Sequence, residues 1–93
     1  MSQAHLSVLQ NALAHLRMTP RQLDVLALLL VGRSNKVIAR ELSLSPETIK
    51  EYVAIILRRL SVASRAEIPM KVQPVYHLLL AWSAARRPEQ MAA

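Results

Sequence analysis

The sequence predicts an all-α protein, and three observations support this. The 93-residue chain is 53% apolar but has no Phe, two Tyr and one Trp, so its core must be built from aliphatic side chains. Leu and Ala favour helices, and a single Gly leaves few positions for the tight turns of hairpins. Ser or Thr precedes several amphipathic stretches, as N-caps precede helices. We therefore predict four central helices, an extra helix at the N-terminus and one more at the C-terminus.

The first two helices are predicted from leucine spacing and from capping residues. Residues 2–17 should form an amphipathic helix, because their leucines recur on one face: Leu6, Leu9, Leu13 and Leu16. The next helix begins at Thr19 as N-cap, with Pro20 in the first helical position. It should end at Gly32, the single glycine of the chain, in a left-handed C-terminal cap.

Two further helices follow with a very short connection between them. One starts at Ser34-Asn35 and stops near Ser43; the other has Ser45 as N-cap and Pro46 in its first position, and runs to about residue 60. The apolar side of this longer helix faces the core with Ile49, Val53, Ile56, Leu57 and Leu60. Because only about three residues join the two helices, they must cross steeply, as in a helix-turn-helix.

The C-terminal part carries weaker signals. Ser64 and Glu67 form a predicted capping box, after which Pro69 and Pro74 interrupt the pattern. Residues 74–87 are predicted to be helical, and residues 88–93 to fray. An apolar stripe on this last helix could serve core packing or a dimer or partner surface, and both uses stay open: Val75, Leu78, Leu79 and Trp82.

Charge and composition limit the function. Twelve Lys and Arg against six Asp and Glu give a formal charge of +6, which attracts phosphate backbones. There is no Cys, and the three His lack metal-ligand spacing, so we expect no metal and no cofactor. No nucleophile lies beside a base and no Gly-rich phosphate loop occurs, so we do not expect an enzyme. No stretch is long enough to span a membrane and no signal peptide is recognisable, which predicts a cytoplasmic protein.

The longer helix of the pair is the predicted recognition helix for the major groove of DNA. Opposite its apolar stripe lies a face expected to reach bases, formed by Glu47, Lys50, Glu51 and Ala54. Residues at the starts of the two helices, with arginines beyond them, suit phosphate contacts: Asn35, Lys36, Thr48, Arg58 and Arg65.

The same residues carry a resemblance to a known family. Motifs that occur in order and without a gap include Thr19-Pro20-Arg21, Ser34-Asn35-Lys36, Leu44-Ser45, Thr48-Ile49-Lys50 and Ser64-Arg65. From Met18 to about Ile68, the chain resembles the LuxR/GerE-type DNA-binding domain of bacterial transcription regulators. The resemblance implies a four-helix domain that binds DNA as a dimer, with Lys50, Glu51 and Ala54 at the bases. It also implies that the helix after Ser64 often forms the dimer contact.

The chain departs from the family pattern at several positions. Gln22 replaces a usual Glu, Tyr52 a frequent His, and Glu51 adds a negative charge that could accept a hydrogen bond from a cytosine amino group. Pro69 falls inside the family's fourth helix, where it should break or kink the chain. Apolar residues stand where the family usually has polar ones, and we expect a terminal extension to cover them: Ala27, Val31 and Ile55.

These observations predict three segments: an N-terminal extension over 1–17, a helix-turn-helix domain over 18–68, and a C-terminal helical extension and tail over 69–93. The predicted function is a stand-alone, homodimeric, sequence-specific transcription regulator, since no sensing domain is visible in 93 residues. The alternative is a protein-interaction module on a helix-turn-helix scaffold that binds RNA polymerase or another regulator.

Overall fold

The computed structural model describes residues 18–86, except for the side chains of Trp82, Ser83, Ala85 and Arg86. This part of the chain is all-helical, as predicted. The predicted N-terminal helix over 2–17 and the tail over 88–93 lie outside the described residues. The α-helices are α1 (Pro20–Leu30), α2 (Asn35–Leu42), α3 (Pro46–Leu60), α4 (Ile68–Lys71) and α5 (Tyr76–Arg86), and 3₁₀ turns precede the last two at Arg65–Glu67 and Gln73–Val75.

The predicted N-cap of α1 is confirmed, and it forms a complete capping box. The Gln22 backbone N–H donates to Thr19 Oγ1 at 3.2 Å, and the Thr19 backbone N–H donates to Gln22 Oε1 at 2.9 Å. Gln22, which stands where the family usually has Glu, therefore supplies the reciprocal bond of the box. Eight consecutive residues of α1, from 22 to 29, are buried, so neighbouring groups cover this helix on every side.

The first three helices all end in a Schellman motif, in which one residue with positive φ reverses the chain. Gly32 takes this position after α1, Ser43 after α2 and Ser61 after α3, with φ values of 83°, 56° and 57°. After α2, Ser43 N–H donates to the Arg40 carbonyl and Leu44 N–H to the Ala39 carbonyl. Leu44 then packs against the core at the corner between α2 and α3.

These caps predict opposite effects for two substitutions. Gly32→Ala should lower the free energy of unfolding by about 1 kcal/mol, because a β-carbon is disfavoured at positive φ. A Cβ at Gly32 would meet nothing within 4 Å, so backbone conformation alone sets this effect. Ser61→Gly should raise the same quantity by up to ~1 kcal/mol. Urea denaturation of both variants checks the pair, and a Gly32→Ala protein as stable as wild type would contradict it.

Between α3 and α5, the chain forms short helical turns. The Glu67 carboxylate accepts hydrogen bonds from the N–H groups of Ala63 and Ser64, at 2.8 Å each, which is the Glu67 half of the predicted capping box. Pro69 lies in the first turn of α4, where its missing N–H has no helical partner to lose. Thus the segment from residue 65 to 71 is a 3₁₀ turn followed by a single α-helical turn.

The core extends past α4 into the C-terminal helix. α5 packs chiefly against α1, and α3 packs against both α1 and α2. Ile68, Val72, Val75 and Leu79 continue the same buried cluster that contains Leu26, Ile38, Ile49, Ile56 and Leu60. Of the three surplus apolar residues, Ala27 is fully buried and Ile55 half-buried, but Val31 is 40% exposed and therefore not covered. Among residues 18–86, no helix has the length and apolar content that crossing a membrane requires.

Candidate nucleic-acid interface

The outward face of α3 is the first component of the candidate site. Ile49, Val53, Ile56 and Leu60 are buried and fix the rotation of the helix about its axis. Leu57, predicted to face inward with them, is half-buried and packs against the same core. The opposite side of α3 is exposed, and every residue predicted to lie on it does so: Glu47, Lys50, Glu51, Ala54 and Arg58.

The N-terminus of α3 is capped by a pair of hydroxyl groups. The Thr48 N–H donates to Ser45 Oγ at 3.1 Å, and the two side-chain hydroxyls lie 2.9 Å apart. The Thr48 hydroxyl therefore has a partner within the cap, and the residue as a whole is half-buried. Pro46 has no N–H to satisfy, which leaves the Glu47 N–H as a first-turn donor without a helical acceptor.

The N-terminus of α2 is the second component. Ser34 caps it by accepting a hydrogen bond from the Val37 N–H at 3.2 Å. The backbone N–H groups of Asn35 and Lys36 precede the first helical bond and have no acceptor within α2. Lys36 is exposed and Asn35 is half-buried. Donors and positive charge therefore meet at this helix end, an arrangement that favours an anion.

Arg65 joins the N-terminus of α2 to the chain beyond α3. Its Nη1 donates to Asn35 Oδ1 and its Nη2 to the Arg33 carbonyl, both at 2.8 Å. Arg33 in turn lies with its Nε 3.5 Å from Glu41 Oε1, within the same region. Sequence reasoning placed Arg65 and Asn35 separately as phosphate contacts and missed the bond between them. No local pattern could reveal it, because the two residues are 30 positions apart.

A shallow cleft of about 260 Å³ borders the exposed face of α3. Thr48, Glu51, Tyr52 and Ile55 line it, and they are spaced by three or four residues along one side of the helix. Tyr52 and Ile55 are both half-buried. The cleft therefore brings a partly apolar surface directly beside residues predicted to reach bases.

Most of the residues predicted to form a dimer or partner surface pack in or against the hydrophobic core. Val75 and Leu79 are buried in the core, and Leu78 packs against it from the edge. The side chain of Trp82 lies outside the described residues. The sequence left two uses open for this stripe, core packing and a dimer or partner surface. Within a single chain, Val75 and Leu79 contribute to core packing.

Comparison with known proteins matches the chain to a family of bacterial regulators. A family model for bacterial regulatory proteins of the luxR family matches residues 16–72. The chain is 38% identical over 58 residues to the transcriptional regulatory protein LiaR of Bacillus subtilis strain 168, covering 62% of this chain and 28% of LiaR. It is 39% identical over 51 residues to the nitrate/nitrite response regulator protein NarL of Escherichia coli K12, covering 55% and 24% of the two chains. It is 48% identical over 48 residues to the nitrate/nitrite response regulator protein NarP of the same strain, covering 52% of this chain and 22% of NarP.

The matches to these relatives span about a quarter of each relative's length. No solved structure was found to match the chain.

Proposed function

Because the chain belongs to the luxR family of bacterial regulatory proteins, we propose that it is a dimeric, sequence-specific regulator of transcription that inserts α3 into the major groove of DNA. The observation that carries the proposal is the exposed face of α3, which presents Lys50, Glu51 and Ala54 in a row opposite the buried stripe. In a helix-turn-helix, the second helix reads base edges with its N-terminal part, and these residues lie there. Such a regulator would act in the bacterial cytoplasm, where the chromosome lies.

Base reading is assigned to the first three turns of α3. The Lys50 ammonium would donate to guanine O6 or N7, and the Glu51 carboxylate would accept from a cytosine amino group. Ala54 is exposed and small, so it allows close approach of the helix and contact with a thymine methyl group. Glu47, at the start of the same face, completes the set of proposed base-facing residues.

Phosphate contacts are assigned to the residues that surround this face. Asn35 and Lys36 offer side-chain and backbone donors at the start of α2, and Thr48 offers its hydroxyl at the start of α3. Arg58 and Arg65 are both exposed, and they would bind phosphates of the DNA backbone beyond the groove. Since positive charge around the groove sets affinity and base contacts set specificity, the two groups should respond differently to salt and to sequence.

Selection from random-sequence duplex DNA at two salt concentrations tests the proposal. We expect enrichment of a motif with two half-sites and an affinity that falls steeply with salt. Log affinity should decrease with log salt by roughly 0.9 for each phosphate contact. Weak binding without an enriched motif would contradict the proposal.

The cleft beside α3 favours a second candidate function. A protein-interaction module would use Tyr52 and Ile55, which are half-buried at the cleft, to bind RNA polymerase or another regulator. Among the described residues, Val31 at 40% and Met70 at 81% are further exposed apolar side chains available to a protein partner. The same selection separates the candidates, because a module of this kind would bind DNA weakly and without sequence preference.

A further inference from the structure

The Arg65 guanidinium holds together two parts of the candidate interface that are distant in sequence. One of its N–H groups donates to the side-chain oxygen of Asn35, and another to the backbone carbonyl of Arg33, at 2.8 Å in both cases. Arg33 lies in the connection between α1 and α2, and Asn35 is the first residue of α2. Arg65 therefore fixes this connection against the 3₁₀ turn that follows α3.

The chemistry of this contact determines which way the Asn35 amide points. Arginine carries only donors, so the amide group that faces it must present its oxygen. The Asn35 Nδ2 group then points away from the guanidinium, and it makes no hydrogen bond to the described part of the chain. In this orientation, Asn35 offers two N–H donors outward, which suits a phosphate oxygen. The flipped amide would offer an acceptor and repel it.

We propose that Arg65 is a positioning residue, which orients the Asn35 amide so that its nitrogen donates to a DNA phosphate. The inference rests on the proposed function and adds to it a specific role for Arg65. Its guanidinium has five N–H donors, of which two are engaged, so its charge also stays available to the DNA. A lysine at this position keeps the charge but cannot form the planar fork that reaches both acceptors.

Arg65→Lys, compared with Arg59→Lys, separates orientation from charge. Both arginines are exposed and both substitutions keep the charge, but only Arg65 is bonded to Asn35. We expect Arg65→Lys to weaken DNA binding by about tenfold or more, the effect of losing one hydrogen bond to a charged group. Arg59→Lys should leave the affinity within about twofold of wild type, because Arg59 is exposed, keeps its charge in this variant and is assigned no contact with DNA. In an Asn35→Ala background, Arg65→Lys should cause no further loss.

The side-chain amide of Asn35 gives a readout in the free protein. In NMR spectra, its two amide protons should shift in Arg65→Lys and stay in place in Arg59→Lys, because only the first substitution removes the bond to Oδ1. Thermal unfolding of each variant establishes that binding is measured on folded protein. If the role of Arg65 were merely structural, the effect of Arg65→Lys on DNA binding would persist in the Asn35→Ala background.

The outcomes separate this inference from the proposed function. If wild-type protein binds DNA with a steep salt dependence but Arg65→Lys and Arg59→Lys bind equally well, the positioning role is wrong and the proposed function stands. An additional loss from Arg65→Lys in the Asn35→Ala background would also overturn the positioning role. If wild-type protein shows no salt-dependent DNA binding, both proposals fail.

Discussion

Replacing Leu79 with Ala is expected to lower the free energy of unfolding by about 2–5 kcal/mol, the range for leucines deleted from packed cores. Leu79 is 0% exposed on α5, and it belongs to the same buried cluster as the residues of α1, α2 and α3. Removing its side chain leaves a cavity where α5 packs against α1. Urea denaturation followed by circular dichroism measures the loss.

Leu80→Ala is the matched control, because Leu80 has the same chemistry on the same helix and is only half-buried. Its loss should be clearly smaller, since fewer of its contacts are removed. Equal and small losses for both variants would mean that α5 is not part of the cooperative folding unit. A large loss for Leu79→Ala alone would place α5 within it.

This result bears on where the domain ends. The family model stops at residue 72, but Val75 and Leu79 continue the core beyond it. Deleting the chain after residue 68 would therefore remove buried side chains as well as any surface for a partner. Loss of a dimer in such a deletion would not distinguish the two causes. Single substitutions on α5 are the better test of whether it also contacts a second copy.

The helix starts could be predicted from the sequence because each is encoded locally. Thr19, Ser34 and Ser45 each accept a hydrogen bond from the backbone N–H three residues later, as their types and positions indicated. The exposed face of α3 was predictable for a similar reason. Once the apolar stripe is assigned to the core, the 3.6-residue period places Lys50 and Glu51 outside.

The helix ends were predicted less completely, since two of them depend on tertiary packing. Gly32 favours positive φ by itself, but Ser43 and Ser61 have no such preference. The residues that follow these serines, Leu44 and Val62, pack against the core. This apolar contact commonly accompanies a Schellman motif and stabilises the reversal of the chain.

The candidate site was the part least predictable from the sequence, because it includes contacts between residues that are distant along the chain. The residue types at Asn35 and Arg65 indicated phosphate binding, but the bond between them requires the fold to bring positions 30 apart together. The bases that Lys50 and Glu51 select are even harder to predict from the sequence. That choice depends on how the whole domain sits in the groove, and several base pairs satisfy the same two side chains.

Lys50→Ala is expected to weaken binding to the selected DNA site by ~1–3 kcal/mol per protomer, which is roughly 5- to 150-fold. Lys50 is exposed in the first turns of α3, where its ammonium is proposed to reach guanine. Because a base contact is made only on the correct sequence, affinity for random DNA should change much less. Titrations of the selected duplex and of a scrambled duplex, at the same salt concentration, measure the two affinities.

Lys36→Ala is the matched control, since Lys36 is also an exposed lysine but lies at the start of α2. As a proposed phosphate contact, it should weaken binding to both duplexes by a similar factor and reduce the salt slope by about 1. If Lys50→Ala also lowers both affinities equally, Lys50 contacts phosphate and the assignment of the reading face is wrong. If it lowers neither, α3 does not enter the groove by this face, and the cleft at Tyr52 and Ile55 becomes the surface to test for a protein partner.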